Sequence, residues 1–255
     1  SDPEEITAYT IGSKNRFLDN RLQVNAEAFY WDYTDQQISH LAPTELVVTP
    51  TFTLYGPVFA TENAGNATIW GMEIDSQYLL TDADLVSVDL QYLDTKYDEF
   101  EYQAYSTAGG PPYVGCLTAL SDQRAITPTA KIYDVDCSGE PMVNAPDWSL
   151  NLGYQHTFEL DNSGRIILGL DSEIQSSRYL SIDYVSEGKQ DSYTVSNVRV
   201  TWETQDEQFA LTGYVNNLEN EIVFNNSLQS PVKSGTIYNQ MRPPRVYGVR
   251  GSYRF

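Results

Sequence analysis

The sequence predicts an all-β protein, a portion of a transmembrane antiparallel β-barrel of about nine strands, and three observations predict it. The chain closes on Tyr247, Val249, Gly251, Tyr253 and Phe255 along one face, with Gly248, Arg250, Ser252 and Arg254 on the other. A period-two strand with an aromatic-ended apolar face has the form of a barrel-closing strand. The same alternation recurs along the whole chain with no competing helical period. Finally, the connections between these segments alternate short and long.

The strands follow in order. The first covers about 5–14. The second sets Leu22, Val24, Ala26, Ala28 and Tyr30 opposite Gln23, Asn25, Glu27 and Phe29. The third sets Trp70, Met72, Ile74 and Tyr78 against Gly71, Glu73, Asp75 and Gln77. In the fourth, Val86, Val88, Leu90 and Tyr92 share a face. The fifth aligns Trp148, Leu150, Leu152, Tyr154 and Phe158, and the sixth Ile166, Leu168, Leu170 and Ile174. The seventh carries Val198, Val200 and Trp202, and the eighth Phe209, Leu211 and Val215. The ninth is the closing strand.

Trp148 and Phe158 bracket one apolar face. At about 3.3 Å per residue and a tilt near 40°, their separation spans roughly 25 Å, the height of the apolar band on a membrane barrel. An aromatic belt at each membrane interface accounts for such brackets. The opposite faces carry Glu73, Asp75, Asp171 and Glu173 with Asn and Gly, unlike the Lys- and Thr-rich outer face of a soluble sandwich.

Short connections fall at Lys14–Asn20, Thr81–Asp84, 161–164 and 204–207; long ones are expected at about 36–65, 99–144, 180–190 and 217–242. Strict alternation puts every long loop on one side, and barrels place their long loops outside the cell. The ninth strand then ends at the periplasmic rim. An odd number of strands leaves two open edges in hydrocarbon, so the chain is expected to form part of a larger barrel.

Composition agrees. A net charge of −20 over 255 residues argues against nucleic acid or an anionic membrane surface as partner. Mean hydropathy is −0.41, and no apolar run approaches the roughly 20 residues of a transmembrane helix. Ser1-Asp2-Pro3 shows neither region of a signal peptide, so an exported chain is read here as processed or as a piece. The two cysteines, Cys116 and Cys137, lie in one polar segment. A disulfide there would contribute roughly 3 kcal/mol; two free thiols or a poor metal site are the other readings.

No catalytic constellation stands out: there is no Gly-x-Ser-x-Gly, phosphate loop or HExxH, and the two histidines, His40 and His156, are far apart. His156 falls between Tyr154 and Phe158 on the lipid face. The carboxylate pairs Glu73/Asp75 and Asp171/Glu173 could do acid–base work, but read better as lumen-wall groups.

The runs Glu4 to Lys14, Phe17 to Leu22 and Phe29-Tyr30-Trp31-Asp32-Tyr33 resemble the TonB-dependent outer-membrane receptors. So do Asn63-Ala64-Gly65, Trp70 to Glu73, Val215 to Leu218 and Pro244 to Phe255. Each match is weak alone, but together they span the chain in order. The resemblance implies a 22-stranded barrel of the bacterial outer membrane, with these as strands 14 to 22. On that mapping, residues 1–255 are the C-terminal part of the barrel. It also implies a plug domain, not in this chain, that couples import of a scarce ligand to periplasmic TonB. Cys116 and Cys137 then sit in an extracellular loop where such receptors often carry a disulfide. Tyr247, Val249, Tyr253 and Phe255 become an assembly signal.

Ligand contacts are expected from Trp31 and Tyr33 on the inner wall, Tyr97 at the rim, and loop aromatics, since aromatic faces stack on sugar rings, catechols and chelates. The loop candidates are Tyr55, Tyr102, Tyr105, Tyr113, Tyr184 and Tyr238, together with Phe52, Phe100, Tyr133 and Phe224. No enzyme activity, metal or cofactor is expected. The expected partners are the remaining barrel strands and plug, TonB through the plug, outer-membrane lipid and a small-molecule ligand. The leading expectation is import of a ferric siderophore complex, with an oligosaccharide or other organic nutrient as alternative. A non-transporting adhesin barrel and a secreted glycan-binding protein are the rivals from other classes.

Overall fold

A computed structural model describes residues 2–230 and 233–254. Nine long strands form its main sheet: β1 (Glu5–Phe17), β2 (Leu22–Val48), β3 (Thr53–Leu79), β4 (Asp84–Ser106) and β5 (Trp148–Glu159). β6 (Arg165–Gln175), β7 (Tyr193–Glu203), β8 (Phe209–Asn216) and β9 (Val246–Tyr253) complete it. Each pairs antiparallel with the next in chain order, and the path runs from β1 to β9 without closing on itself.

Register follows the alternation. One row passes through all nine strands: Phe17, Leu22, Tyr78, Val86, Tyr154, Leu170, Val198, Val215 and Tyr247. Shifting any strand by one residue would turn its apolar set inward, so lipid on one side fixes the pairing. Exposed apolar side chains such as Ile11, Trp70, Leu152, Val200 and Val249 cover this outer face.

Aromatics ring both ends of the band. Near the loop end, the Trp70 and Tyr92 rings lie 5.3 Å apart and Tyr92 and Trp148 4.7 Å apart. Near the turn end, Trp202 and Phe209 are 5.9 Å apart and His156 lies 4.2 Å from Phe158. His156 Nδ1 is 2.5 Å from Asp84 Oδ1, and the Tyr154 hydroxyl donates to the same oxygen at 2.7 Å. A carboxylate at the lipid margin is thereby given partners.

The inner wall is polar and internally bonded. Gln91 donates to Glu73 at 2.6 Å, and Asn25 to Asp75 at 3.1 Å. Asn197 and Arg199 donate to Asp171 at 2.6 and 3.1 Å.

Two of the expected long connections are corrected. Residues 36–65 are not a loop: β2 and β3 continue as one hairpin whose turn holds only residues 49–52. Pro43, Pro50 and Pro57 hide this in the sequence, since proline lacks the ladder donor. Pro43 and Pro57 sit opposite each other, at a position where neither needs an N–H. Segment 99–144 is likewise half strand. β4 runs on to Ser106 and pairs with Lys131–Asp136, which pairs in turn with Leu117–Leu120. The last long connection carries a small hairpin, Phe224–Gln229 with Ile237–Met241. The closing face shows Tyr247, Val249 and Tyr253 exposed on one side of β9; Phe255 lies outside the described residues.

Candidate functional site

The loops do not hang free above the barrel; they build their own core. Ile38, Ala67, Tyr97, Phe100, Tyr102 and Val135 are buried together there, with Cys137 and Tyr184. Tyr97 stacks on Phe100 at 4.4 Å, and the Tyr184 hydroxyl donates to the Pro141 carbonyl at 2.7 Å. Burial pushes the hydroxyls of Tyr102 and Tyr184 well above the usual phenol range, so both stay protonated donors. Cys116 and Cys137 are joined by a disulfide, their Cα atoms 4.9 Å apart, at the edge of this core.

Beside the disulfide, Gly115 donates its N–H to the Asp183 carbonyl at 2.7 Å. A Cβ at Gly115 would stand 2.1 Å from the Tyr184 carbonyl oxygen, so only glycine lets these two loops approach. Tyr113 joins three segments. Its hydroxyl donates to Glu187 at 2.9 Å, its N–H to Ser234 Oγ at 3.2 Å, and its carbonyl accepts from Gln229 at 2.8 Å.

Between these segments lies a cleft of about 480 Å³. That size suits a small organic ligand. Four of the expected ligand residues meet on it: Tyr102, Tyr105, Tyr113 and Tyr238. They come from β4, the following loop and the small hairpin, segments brought together only by loop packing. The others, among them Phe52, Phe100, Tyr133 and Phe224, do not line it. Tyr97 and Tyr184 form the core beneath the cleft, and Tyr33 packs against that core. Trp31 sits lower on the inner wall, its ring 5.0 Å from Phe29, and its buried Nε1 finds no partner among the described residues. Tyr55 belongs to the projecting hairpin and donates to Glu45 at 3.3 Å.

Other lining residues were invisible to sequence reasoning. Phe59 and Leu41, paired across the hairpin, supply apolar faces. Pro43 and Pro57 interrupt the strand signature there, so its alternation is masked. His40 stands with its ring 5.1 Å from Tyr102 and Nε2 3.0 Å from Glu62 Oε2. Ile182, Asp183 and Gln229 carry no local signal at all. Asp183 accepts from the Ser181 hydroxyl at 2.8 Å, and burial raises its carboxyl above the usual range. Among the described residues no group of three or more His, Cys, Asp or Glu could hold a metal ion. The cleft lining combines rings, hydroxyls, a histidine and one acid.

The family model described as TonB dependent receptor-like, beta-barrel, matches residues 2–218. No curated protein matches the chain. The fold is similar to the ferric yersiniabactin uptake receptor FyuA from Yersinia pestis, with TM-score 0.68 and 13% identity over 99% of this chain and 30% of that one. It is similar to the siderophore receptor PiuA from Acinetobacter baumannii, with TM-score 0.63 and 18% identity over 98% of this chain and 28% of that one. The copper transporter OprC gives TM-score 0.58 and 14% identity over 100% of this chain and 32% of that one. The chain thus spans about three tenths of the length of these structures.

Proposed function

The chain belongs to the TonB-dependent receptor β-barrel family, and from that premise we propose that it is the extracellular-loop-bearing part of a receptor that imports a ferric siderophore. Its place is the bacterial outer membrane. The observation that carries the reading is the aromatic cleft formed by Tyr102, Tyr105, Tyr113 and Tyr238 above the membrane band. Rings offer flat faces to a chelate, and the neighbouring folds include proteins described as a ferric yersiniabactin uptake receptor and a siderophore receptor.

On this reading the chain acts with further barrel strands, a plug inside the barrel and TonB below it. The inner-wall groups around Glu73, Asp75 and Asp171 then face the plug. Tyr247, Val249, Tyr253 and Phe255 serve as the signal read when the barrel is assembled. Trp31 and Tyr33 line the path beneath the cleft.

Uptake by cells lacking the gene tests the proposal. Iron-limited deletion cells should lose transport of a ferric chelate and regain it with the intact gene. Loss of oligosaccharide uptake instead would favour the second reading, which the serine-rich cleft wall also suits. Unchanged uptake of both would leave an adhesin.

A further inference from the structure

Resting on the siderophore reading, we propose that the cleft selects a chelate carrying no net negative charge, a neutral or cationic complex with flat ring or hydroxamate faces. The lining itself argues for this. Among its described residues there is no Lys or Arg. Lys131 and Lys233 neighbour the cleft in sequence, but neither lines it.

What lines it instead is one acid, one histidine, and hydroxyl and ring groups. Asp183 is partly buried, with hydrogen bonds from the side chains of Ser181 and Gln229. A buried carboxylate is best satisfied by a hydrogen-bond donor or a cation, and repels an anion. His40 Nε2 is held by Glu62 Oε2 at 3.0 Å. Glu187, outside the lining, accepts from the Tyr113 hydroxyl. Recognition of an anionic chelate rests on Arg or Lys, because the fork or ammonium supplies the charge-assisted bonds. This wall has none to give. Stacking on Phe59, Tyr113 and Tyr238, with hydroxyl contacts from Ser39 and Ser230, needs no ligand charge.

Isothermal titration of the full-length receptor in detergent tests the selection, using a neutral ferric trihydroxamate and a trianionic ferric tris-catecholate of similar size. The trihydroxamate should bind at least about tenfold more tightly, a difference of about 1.4 kcal/mol. Ser39→Lys, at the exposed rim, should narrow that gap by strengthening the trianion alone; Asp183→Asn should narrow it too. Equal or tighter binding of the trianion overturns the charge selection while leaving the siderophore reading in place. If neither chelate binds but a neutral maltooligosaccharide does, and its sulfated derivative does not, the siderophore reading falls and the charge selection holds. Binding of none of these overturns both.

Discussion

The guanidinium of Arg242 donates to Glu173 Oε2 at 2.9 Å, tying the last loop to the inner wall of β6. Glu173 also accepts from the Tyr193 hydroxyl at 2.5 Å, and Arg242 lies over the Tyr193 ring, 5.5 Å from its centre. The pair is about one third exposed on each side, so its worth is that of a partly screened charged hydrogen bond. Arg242→Ala should cost about 1–2 kcal/mol locally. Hydrogen exchange should show faster opening of Phe224–Gln229 and little change in β6. Unaltered exchange in the hairpin would show that the bond does not anchor the loop.

Removing the disulfide should act on the loops and spare the barrel. With a sequence separation of 21, the Cys116–Cys137 bond contributes about 3 kcal/mol by restricting the unfolded loop. The double variant Cys116→Ser/Cys137→Ser should assemble normally yet be cut faster by protease between β4 and β5. Failure of assembly would mean that the loop core is needed before the barrel forms.

Membrane orientation predicts opposite outcomes for neighbouring residues. Leu152 faces lipid midway between Trp148 and Phe158, while Asn151 faces the acidic wall beside Asp89 and Glu173. Leu152→Arg should destabilise the barrel by about 2–4 kcal/mol, measured by urea unfolding in lipid. Asn151→Arg should change stability little. Similar losses from both would contradict the assigned faces.

Loop stability should depend on pH through Asp183. Burial raises its folded pKa, so the folded loops bind the proton more tightly than the unfolded chain. That contribution is fully present below the unfolded carboxylate pKa and is lost as pH rises through the folded one. Glu187 has the opposite sign: hydrogen bonds from its own backbone, Tyr113 and Ser186 hold its pKa low, so its contribution is lost as pH falls. Asp183→Asn should abolish the loss on the alkaline side, read as exchange protection of residues 181–190 corrected for intrinsic rates. A pH profile unchanged by that variant would remove Asp183 from the account.

Strand count, faces and aromatic belts were readable from single residues in order. Trp148 and Phe158 mark their interfaces by spacing alone, because lipid imposes a period of two on every crossing segment. The projecting hairpin was not readable: Pro43 and Pro57 break the usual strand signature, and only their mutual pairing shows that both are tolerated.

The cleft marks the other limit. Tyr113 and Tyr238 were each recognisable as loop aromatics, but so were Tyr184, which the fold uses as core, and Tyr102, which belongs to both core and cleft. Nothing local separates the two groups. The membrane-crossing sheet is written in the order of residues alone, since that pattern answers to a solvent every strand shares. Which rings meet, and that Asp183 joins them, emerges only when the loops pack, because that packing includes contacts between residues more than a hundred positions apart, such as Tyr113 with Gln229.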